Sequence, residues 1–334
     1  MKFSVGMGIT NKCNLNCPHC YSREENIQDI DKDELQNFIE NVPIDSINLG
    51  TGESILCDSF FDIIELIHKK NIKLSLTTNG FTVSKLKDKH LMYFNDIDFS
   101  LDFPIGEHHN SFRKGNISPL IIEGVERCKK NNVECSIATA MMNVNYMFMD
   151  KMVELAQKMA VNLRVNIYKP VNTNEFVLTY DEFWEGIRLL FSNSTIISCS
   201  EPIVNALIGN KTLDGGSPCG KKSLRIRPDG TIVPCVYLKD SLINMKDFVK
   251  LHKSGVALET EMHHDKIPDF CIENCDRYEL CKGGCYSRRY YGNGVDKPDE
   301  YCFVAKNKKP QIKYKWGEKK DLVHSDYLCT IIVC

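Results

Sequence analysis

Thr10-Asn11-Lys12-Cys13-Asn14-Leu15-Asn16-Cys17-Pro18-His19-Cys20-Tyr21 closes a β-rich run that begins at Phe3, and it carries three cysteines spaced C-x3-C-x2-C. Three thiols on one short loop can converge on a single metal centre. An electron-carrying [4Fe–4S] cluster takes four thiolates. A loop that offers three leaves one iron without a protein ligand, open to a small molecule. The competing reading is a zinc site or a chance grouping of thiols. Zinc asks for a fourth protein ligand at tetrahedral geometry, and His19, confined between Pro18 and Cys20, is poorly placed to supply it.

Outward from this loop, 334 residues give room for about two domains, each able to bury a core. Hydrophobic residues make up 43% and charged residues 26%, and the formal net charge of −2 gives no global case for nucleic acid or membrane binding. No run of 18 apolar residues spans a bilayer. The chain passes from Met1-Lys2-Phe3 almost directly into the cysteine loop without a secretory signal, which predicts a cytoplasmic protein. In that setting 16 cysteines read as metal ligands before disulfides, and as the mark of an anaerobic or strongly reducing cell.

From Phe3 to about Asn172, short β-rich runs alternate with amphipathic helical stretches. The predicted strands are Phe3–Thr10, Ser46–Leu49, Ile72–Thr77, Ile97–Asp102, Val133–Met141 and Leu163–Tyr168. A helix is predicted over Lys32–Val42, with Asp31 as N-cap and Glu34 three residues on. A second, over Ser59–Lys70, shows Phe60, Ile63, Ile64 and Ile67 at helical spacing. Six such repeats with nearly continuous apolar strands predict an α/β fold with a parallel sheet covered by helices. The cysteine loop, Gly50-Thr51-Gly52-Glu53, Thr78-Asn79-Gly80 and Ser100-Leu101-Asp102 all fall at C-terminal strand ends, the edge where parallel α/β sheets bind ligands.

The cysteine loop resembles the signature of radical SAM enzymes. The resemblance implies a partial (β/α)6 TIM-like barrel, too few strands to close, with an open side for a large substrate. It implies a [4Fe–4S] cluster on Cys13, Cys17 and Cys20 whose fourth iron chelates S-adenosyl-L-methionine. Electron transfer would then release methionine and a 5′-deoxyadenosyl radical. Gly50-Thr51-Gly52-Glu53 looks like the family's Gly-Gly-Glu turn, with Gly52 and Glu53 as the matching pair and Thr51 as a departure. His19 occupies a place where the family often has an aromatic against adenine, although an exposed loop histidine fits equally well. Ser100 and Arg113 resemble residues that grip ribose and carboxylate, a task suited to the planar guanidinium fork. Asn79 reads either as a cofactor contact or as a turn that opens a helix. Asn166, Tyr168 and Lys169 face substrate or serve structure.

After the predicted helix Asp181–Ser192 the composition changes. A hairpin is written at Leu224–Arg227 and Thr231–Val233, turned by Pro228-Asp229-Gly230. The cysteines run Cys219-x10-Gly230-x4-Cys235, Cys271-x3-Cys275-x5-Cys281-x3-Cys285 and Cys302. This resembles the SPASM extension of peptide-modifying radical SAM enzymes, with Cys271 and Cys275 one residue further apart than usual. The resemblance divides the chain into a barrel over 1–195, an auxiliary-cluster domain over 196–305 and a basic tail over 306–334. It implies two auxiliary [4Fe–4S] clusters: an outer one on Cys271, Cys275, Cys281 and Cys302, and an inner one on Cys219, Cys235 and Cys285. For the inner one, Cys199 is the nearest upstream candidate as fourth ligand; otherwise one iron stays open to a substrate thiolate. A zinc ribbon is the structural alternative for the same thiols. Cys57, Cys128 and Cys135 read as buried small hydrophobes, and Cys329 and Cys334 have no assigned role. The lysine-rich stretch Lys306–Lys320 attracts an acidic leader peptide or is simply a solvated charge run. With the cysteine loop so near the first residue, a leader would dock on this core or on another protein.

The expectation is therefore a maturase that abstracts hydrogen from a ribosomally made peptide or protein, giving a crosslink or an oxidation, with a flavodoxin or ferredoxin-type electron donor. Formylglycine formation on a sulfatase and decarboxylation of a haem precursor are the enzymatic alternatives. A zinc-binding or electron-transfer protein is the non-enzymatic one.

Overall fold

Apolar strands alternating with amphipathic helices fold into one sheet with the barrel's helices packed outside it. The computed structural model describes residues 2–22, 26–210, 215–220, 223–239, 243–255, 266–318, 320, 322–323 and 329–334. Strands β1 (Phe3–Met7), β2 (Ile44–Leu49), β3 (Lys73–Thr78), β4 (Asp96–Ser100), β5 (Glu134–Met141) and β6 (Asn162–Ile167) pair in parallel in sequence order. These are the six predicted strands, with ends shifted by at most two residues, and for β1 by three.

The helices form for the reasons legible in the sequence. Asp31 caps Lys32–Asn41 by accepting the N–H groups of Asp33 and Glu34, and Leu35, Phe38 and Ile39 turn inward. Phe60–Lys69 buries Phe60, Ile63, Ile64 and Ile67. A full capping box, in which Thr179 and Glu182 exchange hydrogen bonds, opens Tyr180–Ser192.

The sheet does not stop at β6. It continues through β7 (Ile196–Cys199), β8 (Ser223–Ile226), β9 (Thr231–Val233), β10 (Ile243–Asn244) and β11 (Thr330–Val333), in the order β10-β9-β8-β1-β2-β3-β4-β5-β6-β11-β7. The cysteine-rich half is thus joined to the barrel through its hairpin, since β8 pairs in parallel with β1. The final strand wedges antiparallel between β6 and β7, with Ile331, Ile332 and Val333 fully buried. Neither β7 nor β11 was anticipated. Among the described residues no helix is long and apolar enough to cross a membrane.

At the N-terminal end of β4, Asp96 and Asp98 are both buried, and Arg164 from β6 reaches Asp98 with Nε–Oδ1 at 3.1 Å. Burial, together with the charge of Asp98, pushes the Asp96 carboxyl up to about 8 from an ordinary 3.8. A carboxyl raised on folding favours the folded state most at low pH, and that contribution disappears as pH climbs to the folded value. Between about pH 6.5 and about pH 8.5 the folded chain should therefore lose on the order of 1–3 kcal/mol from this group. Asp96→Asn should flatten that dependence and raise the denaturant midpoint at the higher pH; an unchanged slope would show that Asp96 ionises freely.

Candidate active site

The C-terminal ends of the parallel strands surround a cavity of about 440 Å³, within the range of small-molecule sites. Its wall includes Cys13, Cys17, Cys20, Ser100, Arg113 and Lys169. The loop after β1 brings the three cysteines close enough that Cys17 and Cys20 act electrostatically on Cys13. The Leu15 N–H points at Cys13 Sγ at 3.4 Å, and Cys17 Sγ lies 3.7 Å from the Arg113 carbonyl.

Gly52 makes this loop possible. It sits at φ +61°, and a Cβ there would lie 2.5 Å from the Lys12 carbonyl oxygen and 2.7 Å from that of Thr10. The close approach is to the cysteine loop's own backbone, which the Glu53 N–H also meets at the Lys12 carbonyl, 2.8 Å away. Thr51 takes φ +76°, an unusual conformation for a β-branched residue, and its hydroxyl is bonded to the Tyr21 hydroxyl at 2.7 Å.

Glu53 is fully buried, and its carboxylate accepts from the hydroxyls of Thr78 and Thr82 and from the N–H groups of Asn79 (3.0 Å) and Thr82 (2.7 Å). The side chain of Glu53, a residue expected at the cofactor site, thus ties the end of β3 to the helix Phe81–Lys85. Asn79 opens a helix, the second of the two roles the sequence offered, and also holds the cysteine loop. Its Oδ1 accepts the Phe81 N–H at 3.0 Å to open that helix, and its Nδ2 donates to Asn14 Oδ1 at 2.8 Å, holding the cysteine loop.

Asp102, at the end of the Ser100-Leu101-Asp102 stretch, is a hub of the site. Arg113 Nε donates to its Oδ2 at 2.7 Å, His19 Nε2 lies 3.7 Å from the same oxygen, and the Ala140 N–H reaches Oδ1 at 3.1 Å. Burial works against this carboxylate, but Arg113, His19 and His109 outweigh it and hold the group down at about 2. The Asp102 N–H donates to His109 Nδ1 at 3.1 Å, and burial, reinforced by Arg113, pushes that imidazole down to about 4. His19 is not an isolated loop residue: its ring stacks on Phe112, centroids 5.0 Å apart and planes 18° from parallel. Arg113 thus lines the cavity while anchored by Asp102, and Ser100, at the end of β4, lines the same cavity.

Two further thiol groups lie beyond the cavity. Cys271, Cys275, Cys281 and Cys302 act electrostatically on one another, and all but Cys275 are buried. Cys219 and Cys235 form the second group together with Cys285. Cys199 is elsewhere: it packs in the hydrophobic core on β7, paired in register with Ile331, and Glu201 is the charged group that acts on it. Among the described residues no three His, Cys, Asp or Glu side chains are set to close on a metal ion. Cys128 and Cys135 are buried against each other, Cys57 is buried in the core, and Cys334 is exposed.

Comparison with known proteins agrees with this geometry. Residues 7–159 match the family model of the Radical SAM superfamily. That stretch is a radical SAM domain, and the chain is an enzyme. The likeness extends past this domain. Mycofactocin maturase MftC of Mycolicibacterium smegmatis is 21% identical over 326 residues, covering 88% of this chain and 81% of its own. GTP 3′,8-cyclase of Aliarcobacter butzleri is 23% identical over 284 residues, covering 76% of this chain and 85% of its own. Among solved structures, anSMEcpe with bound AdoMet superposes with a TM-score of 0.73 at 20% identity, covering 92% of each chain. SuiB of Streptococcus suis, bound to S-adenosylmethionine, superposes at 0.66 with 12% identity, covering 90% of this chain and 77% of that one. At these identities the structural likeness speaks for the fold: an α/β partial barrel followed by a cysteine-rich region.

Proposed function

We propose that this enzyme modifies a ribosomally made peptide or protein, removing hydrogen from a side chain or backbone carbon to give a crosslink or an oxidised residue. One observation carries the reading: a single cavity is lined both by the front cysteines and by Lys169 and Tyr237, on which Cys285 acts electrostatically. A substrate held there sits between two thiol groups. Relatives support a peptide substrate, since MftC is a maturase and SuiB has been solved bound to a precursor peptide, SuiA. The three front thiols, with the Leu15 N–H against Cys13 Sγ, fit a [4Fe–4S] cluster with one open iron, and the cavity volume fits a nucleoside beside it. When bound, that cluster and S-adenosyl-L-methionine supply one-electron cleavage of the sulfonium and a carbon radical able to take a hydrogen atom.

The chain's own work is positioning. Asp102 fixes Arg113 and His19 along the cavity wall, while Gly52, Asn79 and Glu53 lock the cysteine loop onto the ends of β2 and β3. In this reading Cys271, Cys275, Cys281 and Cys302 hold an outer auxiliary cluster, Cys219, Cys235 and Cys285 contribute to an inner one, and a flavodoxin or ferredoxin-type protein delivers electrons. The enzyme works in the cytoplasm.

Anaerobic reconstitution tests this. Three clusters give about twelve irons per chain and one gives about four. Dithionite should drive 5′-deoxyadenosine formation, and mass spectrometry of a treated candidate peptide separates crosslinking or desaturation from formylglycine. A zinc-loaded chain that leaves S-adenosyl-L-methionine intact would end the proposal.

A further inference from the structure

We propose that Cys329, from the last segment of the chain, is the fourth ligand of the inner auxiliary cluster, leaving that cluster no vacant iron. The inference rests on the auxiliary-cluster reading above and deepens it.

The contacts come first. Cys219 lies within hydrogen-bonding reach of both Cys235 and Cys329, and Cys329 is likewise within reach of Cys285. Ser217 Oγ is 3.4 Å from Cys329 Sγ, and Ser287 Oγ is 3.3 Å from Cys285 Sγ and 3.9 Å from Cys235 Sγ. Four thiols and two hydroxyls thus share one site, in which Cys235, Cys285 and Cys329 are buried and Cys219 partly so.

The surrounding charge points the same way. Lys169 is 3% exposed, and Cys285 and Cys329 both act on it electrostatically. Arg225, 4% exposed, is subject to Cys219 and Cys235 in the same way. Four neutral thiols would need no buried cations beside them. A cluster carrying four thiolates is an anion, and burying it calls for compensating positive charge. Lys169 and Arg225 flank the four sulfurs in pairs.

The fold explains why this ligand arrives from the far end of the chain. Cys329 immediately precedes β11, whose Thr330 is fixed by reciprocal contacts with Ser200: the Ser200 N–H donates to the Thr330 carbonyl at 2.9 Å, and the Thr330 N–H donates to Ser200 Oγ at 3.3 Å. A strand locked between β6 and β7 delivers its preceding residue to a fixed place. Cys199, on the neighbouring strand, is committed to the hydrophobic core. A fully ligated cluster has no iron with which to hold a substrate sulfur, so its part is limited to carrying electrons.

The test uses the full chain with Cys13, Cys17 and Cys20 all changed to Ala, so that only auxiliary iron remains. This background should hold about eight irons, and adding 2-mercaptoethanol should leave its reduced EPR spectrum unchanged. A spectrum that shifts with the added thiol reveals an open iron and overturns the proposal without any change at Cys329. Adding Cys329→Ser should alter the inner cluster's EPR signal or lower the count towards about four irons, while Cys199→Ala alters neither. An unchanged count and spectrum for Cys329→Ser, or loss on Cys199→Ala instead, also overturns it. Should the background chain hold no iron at all, the auxiliary-cluster reading itself fails, and this result is distinct from the others.

Discussion

Cys17→Ala should reduce 5′-deoxyadenosine formation under dithionite to background, a loss of at least about a hundredfold, whereas Cys275→Ala should keep that activity within a few-fold and lose the modified peptide. The contrast follows from where the two thiols lie. Cys17 is buried at the mouth of the barrel against the Arg113 carbonyl and shares its loop with two more thiols. Removing it leaves two thiolates for a centre that needs three. Cys275 belongs to the separate group formed with Cys271, Cys281 and Cys302. Its loss leaves the front loop intact, because Gly52, Asn79 and Glu53 hold that loop from β2 and β3. Chromatography for the nucleoside and mass spectrometry for the peptide read the two losses separately. Equal loss of both activities in both variants would mean that the C-terminal cysteines serve only to hold the fold.

What the sequence disclosed, and what it withheld, divides along contact distance. The six barrel strands, the Asp31 cap and the inward face of Phe60, Ile63, Ile64 and Ile67 depend on neighbours a few positions away, so periodicity and capping chemistry reveal them. The three front thiols are legible for the same reason. Glu53 and Asn79 were placed correctly at strand ends, but their partners, Thr78, Thr82 and Asn14, are set by the crossing of three loops. No local pattern says whether a carboxylate there turns to a ligand or back into the protein. Asp102 was seen as part of Ser100-Leu101-Asp102, yet its role as the anchor of Arg113 and His19 is a tertiary fact. The last strand left one usable signal: Thr330-Ile331-Ile332-Val333 is a run of β-branched residues, which reads as a strand wherever it falls. Its partner β6 lies more than 160 positions earlier, and that separation hid where Cys329 goes.

Arg288→Met should destabilise the folded chain by about 3–5 kcal/mol, the largest effect expected of any single substitution remote from the front cysteines. Arg288 is 4% exposed, and its guanidinium reaches Glu201 through Nη1 (2.9 Å) and Nη2 (2.5 Å) and Asp299 through Nη2 (2.7 Å) and Nε (3.0 Å). Both carboxylates are buried, so removing the cation strands two negative charges in a low dielectric. The triad joins regions far apart in sequence. Glu201 lies two residues after β7, while Asp299 accepts the N–H of Cys285 at 2.9 Å and of Tyr301 at 3.1 Å. Gly284 allows the carboxylate this close, since a Cβ there would sit 2.3 Å from that of Asp299. Loss of Arg288 should therefore loosen the C-terminal cysteines from the barrel, and auxiliary iron should fall with the unfolding midpoint while the front loop keeps its own. The triple variant Arg288→Met, Glu201→Gln, Asp299→Asn should recover most of the lost stability, because the penalty lies in unpaired buried charge and not in the absence of the pair. Denaturant unfolding under anaerobic conditions decides it: a shift below about 1 kcal/mol for Arg288→Met would show that water reaches and screens these carboxylates.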